Sequence, residues 1–65
     1  MSMIQVNGKA HALVASFSTL LEELGLEKAV VATALNGDFI PAGQRDQIIL
    51  KAGDQIEILA PMQGG

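Results

Sequence analysis

Residues 17–26 read FSTLLEELGL, and this stretch decides the fold because its apolar residues repeat with the period of a helix. The residues that recur at i, i+3, i+4 and i+7 are Phe17, Leu20, Leu21 and Leu24. Gly25 comes next, and glycine commonly ends a helix in the left-handed conformation, with the following apolar residue, here Leu26, packing back. We therefore predict one short helix whose apolar stripe supplies the middle of the core.

Hydroxyl and acidic residues mark the start of this predicted helix. Thr19 and Glu22 stand three positions apart and fit a capping box, and Ser18 is a competing N-cap. Glu22 and Glu23 in the first turns would suit the positive end of the helix dipole. Because neighbouring residues on a helix do not face each other, we interpret these two carboxylates as a solvated acidic face and not as a catalytic pair.

A β-hairpin is predicted before the helix. Residues 3–6 have good strand formers, and Asn7-Gly8 follows them. Both residues of an Asn-Gly pair tolerate the positive φ of a type I′ turn, which makes the pair the strongest short hairpin signal. Residues 9–14, KAHALV, then form the return strand. His11 is the single histidine, and we interpret it as a surface strand residue.

A second hairpin is predicted after the helix. Residues 30–35 are almost continuously apolar, which indicates a central strand that is covered on at least one face. Asn36-Gly37 turns the chain into residues 38–40, and Pro41 ends the pairing because proline has no backbone N–H.

The remainder of the chain reads as short elements ending in a strand. Residues 42–47 are predicted to be a loop or a single helical turn, and residues 48–50 a short strand. A turn centred on Gly53-Asp54 leads into a last strand at residues 56–59.

These elements predict an α+β domain with one helix packed diagonally across one face of a mixed sheet of four to five strands. The first and last strands must then lie side by side near its centre. We expect residues 1–60 to form this domain and residues 61–65 to be a flexible C-terminal tail ending in Gly-Gly, since glycine loses most backbone entropy on ordering.

Composition excludes several classes of function. The 65 residues contain no cysteine and one histidine, so neither a disulfide nor a metal site is expected. The net charge is −3 and the four basic residues are scattered, which argues against nucleic-acid binding. No apolar run approaches the roughly 20 residues that cross a bilayer, and no signal peptide is visible, so we expect a cytoplasmic protein without membrane contact.

The last strand and the tail are where function is expected. Alternation turns Ile56 and Ile58 inward and Leu59 outward. An outward leucine is ordinary by itself, but before a proline and a methionine it also fits a partner patch. The predicted partner-binding residues are Leu59, Pro61, Met62, Gln63, Phe39 and Arg45.

No catalytic residues are predicted, since no nucleophile has a plausible base and acid around it. The chemically distinctive group is the carboxylate of Gly65. It is an anion at neutral pH and therefore a poor electrophile, so a partner must activate it.

Three stretches resemble one known family: ALNGDFIP at residues 34–41, IILKAGDQIEIL at residues 48–59, and the closing Gly64-Gly65. They resemble the bacterial sulfur carriers of thiamine biosynthesis, the ThiS family. The first half of the chain matches mainly in pattern. The resemblance implies the ubiquitin-like β-grasp fold, which agrees with the order of elements derived above.

The resemblance also implies a carrier and not an enzyme. A ubiquitin-activating-like adenylyltransferase would use ATP to adenylate Gly65, with Gly64 as the slim residue before it. A desulfurase system would supply sulfur to form a thiocarboxylate, which would deliver sulfur to thiazole synthase. No cofactor is expected to be bound, because the activating partner uses the ATP.

One position departs from the family, and several alternatives stay open. Members often carry a basic residue directly after the proline that matches Pro41; here Ala42 stands there and Arg45 comes three later. Arg45 either substitutes for that charge or docking differs. The alternatives are a sulfur carrier for another pathway, similar to the small subunit of molybdopterin synthase, a protein modifier joined through Gly65 to lysines, and a β-grasp interaction module that carries nothing.

Overall fold

The computed structural model describes residues 2–60 and shows five strands, one α-helix and one 3₁₀ helix. The strands are β1 (Met3–Val6), β2 (Lys9–Ala12), β3 (Ala32–Leu35), β4 (Asp38–Ile40) and β5 (Gln55–Leu59). Helix α1 (Phe17–Glu23) lies between the two hairpins, and the 3₁₀ helix (Ala42–Gln47) follows the second of them.

Two Asn-Gly turns build the two hairpins. Asn7 and Gly8 have φ angles of 52° and 84°, and Asn36 and Gly37 have φ angles of 52° and 89°. Left-handed conformations at both central residues are what a type I′ turn requires, and asparagine and glycine adopt them at low cost. The turns join β1 to β2 and β3 to β4 in antiparallel pairs, which confirms both predicted hairpins.

Strand β5 lies at the centre of the sheet, whose order is β2-β1-β5-β3-β4. It pairs in parallel with β1 and antiparallel with β3. The prediction that the first and last strands lie side by side is therefore confirmed. A mixed sheet of this order with one main helix against one face is the β-grasp fold.

The core lies between α1 and the inner face of the sheet. Its buried apolar residues are Ile4, Phe17, Leu20, Leu21, Ile40, Leu50, Ile56 and Ile58. The helix stripe is confirmed at Phe17, Leu20 and Leu21, each at most 3% exposed. Leu24 differs, because it is the C-cap of the helix and 38% of its surface stays exposed.

The N-terminus of α1 corrects the predicted cap. Ser16, and neither Ser18 nor Thr19, is the N-cap: its backbone is extended and its hydroxyl accepts a hydrogen bond from the Thr19 N–H at 3.1 Å. The helix begins at Phe17, one residue after that cap. The predicted role of Glu22 and Glu23 at the positive end of the dipole is also wrong, because the first turn contains no acidic residue.

The C-terminus of α1 forms as predicted. Gly25 has a φ of +74°, and its N–H donates to the Glu22 carbonyl at 3.0 Å. The Leu26 N–H donates to the Leu21 carbonyl at 2.8 Å. These two bonds make up the Schellman motif, which satisfies carbonyls that the helix leaves free at its end.

Two strand predictions need correction. Residues 48–50 form no strand; Ile49 makes only an isolated bridge with Ser16, outside the five-stranded sheet. The Leu50 N–H donates to Ala15, so this segment pairs with the residues that precede the helix and not with a sheet neighbour. Strand β3 also starts at Ala32 and not at Val30, which is 78% exposed.

Candidate functional site

The predicted tail site lies outside the described residues. Pro61, Met62, Gln63, Gly64 and Gly65 all belong to this part of the chain. The structure therefore describes the surface from which these residues follow, namely the end of β5 and the strands beside it.

The outer face of the sheet, opposite α1, carries the candidate site. Leu59 and Phe39 are 67% and 69% exposed, although both are large apolar residues. Alternation along β5 produces this exposure, because Ile58 points inward and is 7% exposed while the next residue points outward. Two predicted partner-binding residues thus share a single exposed surface.

Small residues separate Leu59 from Phe39. Ala32 of β3 is the register partner of Leu59, and Ala34 is the register partner of both Phe39 and Glu57. Because alanine side chains are short, a shallow depression forms between the two larger side chains, and its lining includes all five of these residues. We call this surface, formed by Ala32, Ala34, Phe39, Glu57 and Leu59, the outer patch. Its shape suits a protruding apolar side chain of a partner.

The outer patch is apolar with one charge on its β5 side. Glu57 lies between Leu59 and Gln55 on the outward side of β5 and is exposed to solvent. A carboxylate among apolar side chains favours partners that bring a hydrogen-bond donor or a cation to this point. The patch therefore combines an apolar contact area with a carboxylate that favours some partners over others.

Arg45 lies apart from the outer patch. Its Nε donates to the Thr33 hydroxyl at 3.0 Å and its Nη2 donates to the Val31 carbonyl at 2.7 Å. Thr33 is 1% exposed and donates in turn to the Ile40 carbonyl at 2.8 Å. Since Thr33 alternates with Ala32 and Ala34, its side chain and the arginine bound to it lie towards the helix side of β3. The structure thus gives Arg45 an internal role, and its role in docking stays a prediction.

Sequence reasoning missed the contribution of Asn7 beyond the turn. Its side-chain Nδ2 donates to the Ile58 carbonyl at 3.0 Å, and its Oδ1 accepts from the Ile58 N–H at 2.8 Å. Asn36 behaves similarly at the other end of β5, where its Oδ1 accepts from the Gln55 N–H at 2.9 Å. The only signal in the sequence is that asparagine, unlike glycine, brings a donor and an acceptor to a turn.

The other expected features are simple to place. His11 lies in the edge strand β2, half-buried, with its Nδ1 2.7 Å from the Ala12 carbonyl oxygen. Across residues 2–60, no three histidine or acidic side chains come together as metal ligands would. The single α-helix of this described part, Phe17–Glu23, is far too short to cross a bilayer.

Comparison with known proteins identifies the family. The sequence model of the ThiS family matches residues 4–65. A crystal structure of the thiamine biosynthesis protein ThiS from Geobacter metallireducens is 31% identical and superposes with a TM-score of 0.81, covering 97% of this chain and 99% of that one. An NMR structure of a thiamine biosynthesis protein from the same organism is 30% identical with a TM-score of 0.75, covering 100% of this chain and 88% of that one.

A search of curated proteins gave no match. The family match nevertheless extends over nearly the whole sequence and through the terminal Gly-Gly, and both solved structures share the β-grasp arrangement described above. The chain belongs to the ThiS family.

Proposed function

We propose that the protein is a sulfur carrier for thiamine biosynthesis, a cosubstrate that partner enzymes modify at its C-terminal glycine. The observation that carries this proposal is the family match over residues 4–65, because it includes Gly64 and Gly65 and not only the β-grasp domain. The names of the two similar structures, both thiamine biosynthesis proteins, support the choice of pathway.

The proposed chemistry takes place at the carboxylate of Gly65. A carboxylate oxygen attacks the α-phosphate of ATP in the active site of a ubiquitin-activating-like adenylyltransferase, and pyrophosphate leaves. A persulfide of the desulfurase system then attacks the acyl adenylate, AMP leaves, and an acyl disulfide forms. A thiol such as cysteine reduces this acyl disulfide to the thiocarboxylate and is itself oxidised to a disulfide. Activation is needed because a carboxylate is a poor electrophile at neutral pH. Thiazole synthase takes the sulfur from this thiocarboxylate in exchange for an oxygen atom of its substrate or of water, and the carboxylate returns.

The proposed division of labour separates a rigid part from a flexible part. Residues 1–60 present the outer patch, and residues 61–65 act as a flexible tail that enters the partner. Five residues reach about 16 Å when extended, which is enough to place a terminal carboxylate inside a partner's active site. Gly64 and Gly65 have no Cβ, so the backbone can pass through a narrow slot.

The proposed docking surface for the adenylyltransferase contains Leu59 and Phe39, with Pro61, Met62 and Gln63 as the continuation along the tail. Large exposed apolar residues that flank a shallow depression are typical anchor positions in protein interfaces. Arg45 has N–H groups beyond the two that bind Thr33 and Val31, and these could meet an acidic group on the enzyme. A cytoplasmic location, where ATP is available, belongs to the same proposal.

Intact-mass measurement tests the proposal directly. The protein is incubated with the adenylyltransferase, ATP, a desulfurase and cysteine. We expect the mass to increase by the difference between one sulfur and one oxygen atom, and we expect deletion of Gly65 to abolish the change. Removing that residue should leave the thermal midpoint of unfolding unchanged, because a terminal residue adds little burial.

The alternatives give different results in the same experiment. Conjugates of higher mass that are joined to lysines would identify a protein modifier. An unchanged mass with an enzyme that modifies another ThiS protein would refute the carrier role. Addition of thiazole synthase and its other substrates then tests the pathway, because sulfur loss from the thiocarboxylate should depend on that synthase.

A further inference from the structure

On the side that faces β1, the end of β5 is bound by a side chain and not by the backbone of a strand. Regular pairing between β1 and β5 ends at Val6 and Ile56, where the Asn7 N–H donates to the Ile56 carbonyl at 2.9 Å. The Asn7 side chain then takes over with its two bonds to Ile58. Its amide provides one donor and one acceptor, as a peptide group does, and so adds one rung to the ladder.

This rung depends on the turn that holds Asn7. The residue has a φ of 52°, a conformation that asparagine tolerates and that most other side chains disfavour. The following Gly8, at a φ of 84°, takes the backbone away towards β2. The chain of β1 therefore leaves β5 at this point, while the side chain stays behind to bind Ile58.

Ile58 is the last residue of β5 that points inward. Its side chain is 7% exposed in the core, whereas the next residue, Leu59, belongs to the outer patch and pairs with Ala32 of β3. With Asn7 on one edge and β3 on the other, both edges of β5 are paired up to its end.

Resting on the proposed function, we propose that Asn7 is a positioning residue for the carboxyl terminus. By fixing the backbone at Ile58, it fixes the point from which the last residues extend towards the active site of the adenylyltransferase. Without it, the N–H and C=O of Ile58 lose their partners and the strand end frays. A partner would then have to order these residues during binding, and this entropy cost would appear as weaker binding.

Asn36 provides a matched control. It has the same φ of 52°, it precedes a glycine, and its side chain also binds the backbone of β5, at Gln55. It differs in holding the beginning of β5, at the opposite end of the strand from Leu59. Replacing either asparagine by glycine keeps the turn conformation and removes only the side-chain bonds.

The experiment compares Asn7→Gly and Asn36→Gly with the wild-type chain. Amide hydrogen exchange reports which end of β5 opens, and steady-state kinetics with the adenylyltransferase at saturating ATP gives KM and kcat for the carrier. We expect Asn7→Gly to speed exchange at Ile58 and to raise KM about three- to ten-fold, the range for loss of one net hydrogen bond, with kcat changed by less than about two-fold. Asn36→Gly should speed exchange at Gln55 and leave KM unchanged.

A second substitution covers the case in which Asn7→Gly fails to fold. Asn7→Asp keeps the left-handed tendency and the acceptor for the Ile58 N–H but loses the donor to the Ile58 carbonyl, so KM should rise by an intermediate factor. An unchanged KM in the Asn7 variants, or an equal rise in Asn36→Gly, would overturn the positioning role alone. A wild-type chain that the enzyme does not modify would instead refute the proposed function, and the positioning role with it.

Discussion

The two faces of the sheet differ in what their side chains contact, although the same strands build both. On the inner face, Ile4 and Ile56 are each 1% exposed and pack against α1. On the outer face, Leu59 and Phe39 keep about two thirds of their surface in water. A period of two along β5 is enough to separate residues that stabilise the fold from residues that are free to bind a partner. Substitutions on the inner face should therefore change stability, and those on the outer face should change binding.

The largest expected loss of stability is in the core that α1 forms with the inner face of the sheet. Leu21→Ala should lower the free energy of unfolding by about 2–5 kcal/mol, because the side chain is almost fully buried and its removal leaves a cavity. Leu24→Ala is the matched control on the same helix and should cost less, since that leucine is partly exposed. Urea denaturation measures both values. Equal losses would mean that the helix stripe does not define the core.

A smaller loss of stability is expected when Arg45 is replaced, and it tests whether this arginine belongs to the helix side of the sheet. Arg45→Met removes both donors that bind Val31 and Thr33, and we expect the free energy of unfolding to fall by about 1–3 kcal/mol. The exposed Lys51 provides the control, since Lys51→Met should change stability little. If Arg45→Met instead left unfolding unchanged and weakened only the binding of the adenylyltransferase, this arginine would function with the outer face.

The smallest effect on stability is expected at the outer patch. Leu59→Lys should change the free energy of unfolding by less than about 0.5 kcal/mol, because the residue is exposed. The same substitution should weaken binding of the proposed adenylyltransferase partner about ten-fold, which corresponds to loss of a typical interface anchor. Isothermal titration calorimetry measures this affinity.

The control for Leu59 is Val30, an exposed apolar residue before the start of β3. Val30→Lys makes the same change of charge outside the outer patch and should leave the affinity unchanged. A comparable loss of affinity in both variants would show that charge, and not the outer patch, governs binding. A large loss of stability in Leu59→Lys would mean that the side chain is buried in the folded protein.

Local chemistry explains the features of the fold that the sequence predicted. Asn7-Gly8 and Asn36-Gly37 each determine a turn by their own conformational preferences, and Gly25 does the same for the end of the helix. The spacing of Phe17, Leu20 and Leu21 identifies the buried face of α1. Such signals involve residues that are close in the chain, so they can be recognised before the fold is known.

Apart from the helix cap, the features that were missed depend on contacts between distant parts of the chain. Three hydroxyl residues stand within four positions at the start of α1, and only the backbone conformation shows that Ser16 is the cap. Residues 48–50 have good strand composition, yet within residues 2–60 this segment pairs with residues 15–17 and not with a strand of the sheet. The bonds from Asn7 to Ile58 and from Arg45 to Val31 span 51 and 14 positions, and periodicity carries no information about them.

The central position of β5 also affects how the protein is made. A ribosome synthesises β5 after the other four strands, yet both hairpins need it as their shared neighbour in the sheet. Before β5 emerges, the nascent chain has two separate hairpins, and isolated hairpins are at best marginally stable in water. Cooperative folding therefore waits for the C-terminal part of the sequence, and chains truncated before β5 should be degraded and not accumulate as competitors for the proposed partner enzymes.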